Sequence, residues 1–224
     1  MIRSGHTPIK AIFLALACSI SPAQTTSENQ DPLSRAASLH VENRDTRYVV
    51  ELLNKNMPEI AFHLEYDERD NSEQAFSLDE APLPQILDAV CDKFRLRWKY
   101  DSKNQAVNLY PKDTGRYEYY PFGLPVPELK FKQKATYEIV GLLGSTPLLK
   151  DRYKMFFAYH VNPATQPRFD GDLTDMPLRE ALNWVCKKDG RRDFWVVYIN
   201  NTGWASLGFG SRGVVREPKK PIGK

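Results

Sequence analysis

Alternation of apolar and polar residues predicts a series of short strands interrupted by amphipathic helices. Residues 60–66 alternate in this way, so their apolar side chains share one face of a strand and His63 lies on the outward face. Residues 83–94 instead carry apolar side chains at helical spacing, directly after Pro82, which a helix tolerates in its first turn. The first half of the chain is therefore predicted to run strand, helix, strand, strand, helix, strand, strand.

The same succession of elements returns in the second half at an offset of 95 residues. Residues 77–91 recur as residues 172–186, and the alternation of residues 60–66 recurs over residues 155–161. Between residues 60–93 and 155–188 eight positions are identical, where unrelated sequences of this composition would share roughly two. In the first copy the identical residues are Phe62, Leu78, Pro82, Leu83, Leu87, Val90, Cys91 and Lys93. We interpret this pattern as an internal duplication.

Each copy is predicted to form a small α+β domain. Its order would be β-α-β-β-α-β-β, with two helices packed on one face of a small sheet. The first domain is placed at residues 37–112 and the second at residues 128–211, and the Pro- and aromatic-rich residues 113–127 are predicted to be a stiff linker. A copy of this size is near the lower limit for an independent core, so packing of the copies on each other is expected to help.

The two ends of the chain are predicted to lie outside these domains. Residues 1–23 have a basic start, a short apolar core and small residues before a cleavage point after Ala23, which is the pattern of a secretory signal peptide. In an alternative interpretation, residues 15–18 form a bacterial lipoprotein box and Cys18 is lipidated. Residues 24–36 are predicted to be a flexible leader, and residues 212–224 a basic disordered tail.

The distribution of charge argues against nucleic acid as a partner. Without residues 1–23 the chain has 29 Lys and Arg against 28 Asp and Glu, and residues 212–224 alone contribute a net charge of +4. The body between them is therefore mildly acidic, whereas nucleic acids are bound by basic faces. The acidic run at residues 67–70 is expected to be a solvated loop rather than a calcium site.

The sequence gives no support for catalysis, a bound metal or a cofactor, so we expect no enzyme. Cys91 and Cys186 occupy the same helix position in the two copies and are interpreted as core residues, with an inter-domain disulfide as the alternative. His40, His63 and His160 are scattered and are interpreted as surface residues rather than metal ligands.

One stretch of each copy resembles a known family. Residues 76–90, Phe-Ser-Leu-Asp-Glu-Ala-Pro-Leu-Pro-Gln-Ile-Leu-Asp-Ala-Val, resemble the signature of the secretin and TonB N-terminus short domain. That signature is a short strand, a polar pair, Pro-Leu and a helix with regularly spaced leucines. Residues 171–185 resemble it equally, and the resemblance covers nearly all of residues 38–210 as two tandem copies. In that family the domain lies in the periplasm, docks proteins and helps to build rings at outer-membrane channels.

The resemblance implies a non-enzymatic, exported protein of the bacterial envelope, located in the periplasm. It would act as a docking and assembly module of a secretion, pilus or outer-membrane transport machine, with envelope proteins such as a secretin or another outer-membrane component as partners. No barrel region follows the two copies, so we expect an accessory protein rather than the pore, and a homo-oligomer stays open. Membrane contact is expected only through the basic tail or through a lipidated Cys18, which would make the protein an outer-membrane lipoprotein.

Aromatic residues are the strongest candidates for protein binding. Tyr117, Tyr119, Tyr120 and Phe122 crowd the linker, and Trp204 lies in the last predicted hairpin. Exposed aromatic side chains commonly anchor a partner, whereas packing against their own domains is the alternative. A second function hypothesis is a periplasmic peptide or small-ligand binding module that uses the cleft between the two repeats and the linker.

Overall fold

The computed structural model describes residues 31–117, 119–150, 156–157, 167–190, 194–199 and 205–210. Several sequence predictions fall outside these residues and stay predictions. They concern the signal peptide, the lipidated Cys18, residues 24–30 of the flexible leader, His160, Trp204 and the basic tail.

The first half of the chain has the element order that the hydrophobic pattern predicts. Its elements are β1 (Ala36–Arg44), α1 (Thr46–Asn56), β2 (Ala61–Asp67), β3 (Gln74–Pro82), α2 (Leu83–Phe94), β4 (Leu96–Asp101) and β5 (Ala106–Pro111). The α1 helix begins after Asp45, whose carboxylate accepts a hydrogen bond from the Tyr48 backbone N–H at 2.8 Å. Such an N-cap satisfies a donor that the first turn of a helix leaves free.

The second half follows the same order and confirms the α+β class. Its described elements are β6 (Lys130–Ala135), α3 (Thr136–Gly144), β7 (Phe156–Phe157), β8 (Arg168–Asp172), α4 (Leu178–Asp189), β9 (Phe194–Ile199) and β10 (Ala205–Gly210). The α4 helix begins and ends 95 residues after α2. Each of these helices is followed by a residue in the left-handed region, Arg95 with φ 55° and Gly190 with φ 63°.

Strand pairing divides each half between two sheets. The β1 strand pairs with β3, and β6 with β8, in antiparallel two-stranded sheets. The β5 strand lies between β4 and β2. It is antiparallel to β4 and parallel to β2. In the second half β10 lies between β9, to which it is antiparallel, and β7, to which it is parallel. The helices of the first half contact both of its sheets, whereas the sequence pattern predicted one sheet beneath two helices.

The two halves share one six-stranded sheet. The β2 and β9 strands pair in parallel from Leu64–Val196 to Asp67–Ile199, which gives the strand order β4-β5-β2-β9-β10-β7. The described residues, from Asp31 to Gly210, form one compact unit. Packing therefore does not separate the two halves, and their division into domains at residues 37–112 and 128–211 stays a prediction.

The helices of the two halves cover opposite faces of this sheet. Phe194 and Val196 of β9 lie in a hydrophobic core with side chains of α1 and α2. Trp195 and Val197 lie in a second core with side chains of α3 and α4. Because successive side chains of a strand point to opposite faces, the two cores are on opposite sides of the sheet.

The two cysteines are buried in different cores. Cys91 belongs to the core of α1 and α2, and Cys186 to the core of α3 and α4. Both are free thiols, so the interpretation as core residues is confirmed and the alternative of an inter-domain disulfide is wrong. Burial, assisted by the charge of Asp88, raises the pKa of the Cys91 thiol to about 12.

Candidate functional site

A polar layer, which we call the seam, lies where α4 and residues 113–127 cover one face of β2 and β5. His63, Glu65 and Asp67 alternate along β2 towards this layer, and their exposed fractions are 1%, 0% and 2%. The prediction of a surface position for His63 is therefore wrong. Alternation correctly marks this face as the one directed away from the first core, but the second half covers it.

A buried ion pair connects β2 to the first turn of α4 across the seam. The Arg179 guanidinium donates to the Glu65 carboxylate through Nε at 2.5 Å and through Nη2 at 3.0 Å. The Tyr120 hydroxyl donates to the same carboxylate and accepts from Arg179 Nη2 at 3.1 Å. The guanidinium also lies over the Tyr110 ring, 4.3 Å from its centroid, where the aromatic face attracts a cation.

Burial and these contacts fix the protonation of the cluster. Burial raises the pKa of Tyr120 well above its usual value, and the nearby Glu65 carboxylate raises it further. Burial lowers the pKa of Arg179, but the charge and hydrogen bonds of Glu65 outweigh that effect, so the net shift is upward. Both groups therefore keep their protons, and the cluster is suited to holding the halves together rather than to transferring protons.

Four of the aromatic residues that the sequence nominated for protein binding lie among the described residues and pack against the second half. Phe122 is fully buried and Tyr117 is 8% exposed, while Tyr119 and Tyr120 are half-buried. All four pack in or against the core of α3 and α4. This packing favours the alternative interpretation for Tyr117 and Phe122, whereas binding of a partner by the half-buried Tyr119 and Tyr120 stays a prediction.

The linker, residues 113–127, also caps the first turn of α4. Pro177 precedes this helix and offers no side-chain cap. The carbonyls of Leu124 and Phe122 accept hydrogen bonds from the backbone N–H groups of Leu178 and Arg179 at 2.9 Å and 3.0 Å. The linker thus takes up two donors that the first turn of a helix leaves free, and it fixes Arg179 beside Glu65.

His63 links β2 to β9. Its Nδ1 accepts a hydrogen bond from the Trp195 backbone N–H at 3.1 Å, and the two rings stack with centroids 5.1 Å apart and planes 9° apart. Because Nδ1 is an acceptor, the proton of the neutral ring is on Nε2. This contact adjoins the point where the parallel pairing of the two strands begins.

A second charged cluster holds the start of the linker. Arg116 donates to Asp70 and to the Tyr117 hydroxyl, and Arg69 donates to Asp67 through Nη2 at 2.6 Å. Burial raises the pKa of Asp67. The hydrogen bonds and charge of Arg69, together with the charge of Arg116, lower this pKa by more than burial raises it, so the net shift is downward. The prediction of a solvated loop is therefore wrong for Asp67, because the carboxylate is buried between arginines.

A polar cavity of about 110 Å³ lies beside the Glu65–Arg179 pair. Its lining residues are Lys99, Asp101, Asn108, Gly123, Pro177, Arg179 and Glu180. Asn108 is 2% exposed, and its Oδ1 accepts no hydrogen bond from the described residues. A buried acceptor without a donor costs about 1–3 kcal/mol. The sequence hypothesis of a cleft between the repeats and the linker can be compared with this cavity, in which Gly123 is the residue of 113–127 that forms part of the wall.

Two carboxylates belong to the cavity wall. Asp101 accepts hydrogen bonds from Asn104 Nδ2 at 2.7 Å and from Asn183 Nδ2 at 3.0 Å. Burial raises the pKa of Asp101, but these hydrogen bonds outweigh it, and the net shift is below the usual value. The second carboxylate, Glu180, lies 3.7 Å from Lys99 Nζ.

Sequence reasoning missed Glu65, Arg179 and Asn108. The repeat carries a signal for Arg179, because Pro84 stands at the corresponding position 95 residues earlier. Asn108 carries no comparable signal, since it is a single polar residue in an otherwise apolar strand.

The described residues contain no group of three His, Cys, Asp or Glu side chains placed to hold a metal ion. Within the same part of the chain, no helix is long and apolar enough to cross a membrane. In comparisons with known proteins, the chain matches no family model and no curated protein. The resemblance to the secretin and TonB N-terminus short domain therefore stays a prediction.

Proposed function

We propose that this protein is an exported component of the bacterial envelope that docks and assembles other proteins without catalysing a reaction. Its partner would be an envelope protein, such as a secretin or another outer-membrane component. The observation that supports docking is the outer edge of β4. This strand ends the six-stranded sheet, and no strand among the described residues pairs with its outer side.

The backbone of β4 presents alternate groups to that edge. The Lys112 N–H donates to the Arg95 carbonyl at 2.9 Å, and the β4–β5 register continues as Arg97–Tyr110 and Lys99–Asn108. Hydrogen-bonded pairs recur every second residue in an antiparallel ladder. The N–H and C=O groups of the residues between them, such as Tyr100, therefore point outward, where an extended segment of a partner can add as a further strand.

The side chains along this edge favour a particular kind of segment. Arg97 and Lys99 are both exposed on β4. Basic side chains on an edge strand oppose pairing with a second copy of the same strand. A segment that carries acidic side chains would instead gain from the charge, so the proposed partner is an extended acidic segment of an envelope protein.

Strand addition can be tested with two substitutions of one residue. Tyr100→Pro removes an outward N–H from β4, and proline is tolerated on an edge strand where that N–H faces away from the ladder. Tyr100→Ala removes the same side-chain packing but keeps the N–H. Tagged wild-type and variant proteins would be cross-linked in their own cells, purified and identified with their partners by mass spectrometry.

Docking at β4 predicts that an envelope protein is recovered with the wild type and Tyr100→Ala and is lost with Tyr100→Pro. Heat unfolding of both variants serves as the control for folding. Equal recovery by the two variants would place the contact away from β4. Recovery of the protein alone, as a monomer, would refute docking altogether.

The second candidate function is the binding of a small ligand at the cleft between the repeats. The cavity of about 110 Å³ at the seam favours it, since its wall contains a buried acceptor, Asn108 Oδ1, to which none of the described residues donates a hydrogen bond. This function needs no partner protein and can be tested separately from docking.

A further inference from the structure

The seam cavity has one carboxylate in excess. The charge of Arg179 is taken up by Glu65, whose carboxylate accepts from Nε at 2.5 Å. Of the other charged residues in the wall, Asp101 and Glu180 are acidic and Lys99 is basic. The Lys99 side chain is 65% exposed, so its charge is largely solvated. The cavity is therefore better suited to a cation than to an anion.

The hydrogen-bonding groups of the cavity lead to the same conclusion. Asn108 Oδ1 is a buried acceptor to which no described residue donates. The first-turn N–H groups of Leu178 and Arg179, which could have bound an anion, already donate to linker carbonyls. A charged donor makes a stronger hydrogen bond than a neutral one, so a cationic N–H group would satisfy Asn108 most favourably.

The volume limits the size of the ligand. A dry protein cavity of about 150 Å³ can hold benzene, with six non-hydrogen atoms. In proportion, a cavity of about 110 Å³ accommodates roughly four or five such atoms. A two-carbon amine with one further polar group is of this size.

We propose that the seam cavity binds a small primary ammonium compound, whose N–H groups donate to Asn108 Oδ1 and to the carboxylates of Asp101 and Glu180. The proposal rests on the second candidate function, ligand binding, and is independent of docking at β4. A ligand of this size gains little binding energy, so the dissociation constant is expected on the order of 1 mM.

The test is a titration of the full ¹⁵N-labelled chain, observed by NMR at the backbone amide of Gly123. Ethanolammonium chloride, with four non-hydrogen atoms in the cation, is the probe. Ethylene glycol is its uncharged counterpart of the same size, and sodium acetate is an anion of the same size. At constant ionic strength, ethanolammonium should give a saturable shift, and the other two compounds should give none.

Two substitutions assign the binding to the cavity. Asn108→Leu removes the buried acceptor at similar volume and should weaken ethanolammonium binding at least tenfold. Glu180 is half-buried in the first turn of α4. Glu180→Gln removes its charge while keeping the shape of the side chain, and should weaken ethanolammonium binding several-fold. Glu42→Gln makes the same change of charge at an exposed position of β1 and should leave binding unchanged.

Each contrary result identifies what has failed. Saturable binding of acetate or ethylene glycol without ethanolammonium would leave ligand binding standing and refute the ammonium assignment. No saturable shift with any of the three compounds would refute both. Unchanged binding in Glu180→Gln, or an equal loss in Glu42→Gln, would show that the cation binds elsewhere, and this result also overturns the proposal.

Discussion

Replacement of Arg179 by methionine should be strongly destabilising. Glu65 is fully buried, and the Arg179 side chain is 12% exposed, so the pair is removed from water. Methionine has a similar length but leaves the Glu65 carboxylate with the Tyr120 hydroxyl and no compensating charge. Breaking a buried ion pair in this way typically costs about 3–5 kcal/mol, because the remaining charge stays buried.

The same structure predicts a partial rescue. In the double variant Glu65→Leu, Arg179→Met neither charge of the pair remains, and replacing a buried pair by apolar side chains is often close to neutral. The Tyr120 hydroxyl then loses both partners, which should leave a residual cost of about 1–3 kcal/mol. The double variant should therefore be more stable than Arg179→Met alone.

Heat unfolding at neutral pH and urea titration measure these effects. For a protein of this size about 1 kcal/mol corresponds to roughly 2–4 °C, so Arg179→Met should lower Tm by about 6–20 °C. Arg97→Met, the same substitution at an exposed position of β4, should change the free energy of unfolding by less than about 0.5 kcal/mol. A loss below about 1 kcal/mol for Arg179→Met, or additive losses in the double variant, would refute the buried pair as the link between the halves.

Three further predictions test other parts of the structure. Gly171→Ala should lower the free energy of unfolding in urea by about 1–3 kcal/mol, because the added Cβ would lie 2.6 Å from an aromatic carbon of Phe131. Gly141→Ala in α3 should raise it by about 0.5–1 kcal/mol, because the added Cβ would enter open space. The reverse order of stability would contradict the packing. The pKa of Asp67 is lowered from 3.8, so the ionised carboxylate stabilises the fold fully above that pH, and this stabilisation is lost as the pH falls through the lower pKa of the folded state. Asp67→Asn should therefore have a lower Tm than wild type at pH 7, and the difference in Tm should shrink below about pH 4. In the full chain with Cys18 changed to serine, the remaining thiols of Cys91 and Cys186 should react with a disulfide reagent at pH 8 only after unfolding in urea, because both are buried and the pKa of Cys91 is raised to about 12. Rapid labelling of the native chain would contradict their burial.

Much of the local structure could be predicted because it follows from periodicity. The apolar residues spaced helically over residues 83–94 are the buried residues of α2, and the offset of 95 places α4 at Leu178–Asp189. The alternation of residues 60–66 predicts a strand, and Ala61–Asp67 form β2. These features depend on side chains a few positions apart, whose relative directions are set by the backbone of a single element.

The repeat also shows where prediction from sequence stops. Alternation correctly separates Phe62 from His63 on β2, but it does not say what covers each face. The contact between Glu65 and Arg179 spans 114 positions in the sequence. It exists only because β2 pairs with β9 and the linker caps α4, so neither half contains the information by itself.

The sequence by itself determined the order of strands and helices and the two sets of apolar side chains. The tertiary structure alone decided that the halves share a sheet, that a polar face became a buried seam, and that Asn108 lines a cavity. The physical reason is that hydrophobic periodicity specifies which side chains are buried, whereas many different packing surfaces could bury the same side chains. The choice among those surfaces was made by strand pairing and by buried polar contacts between distant residues.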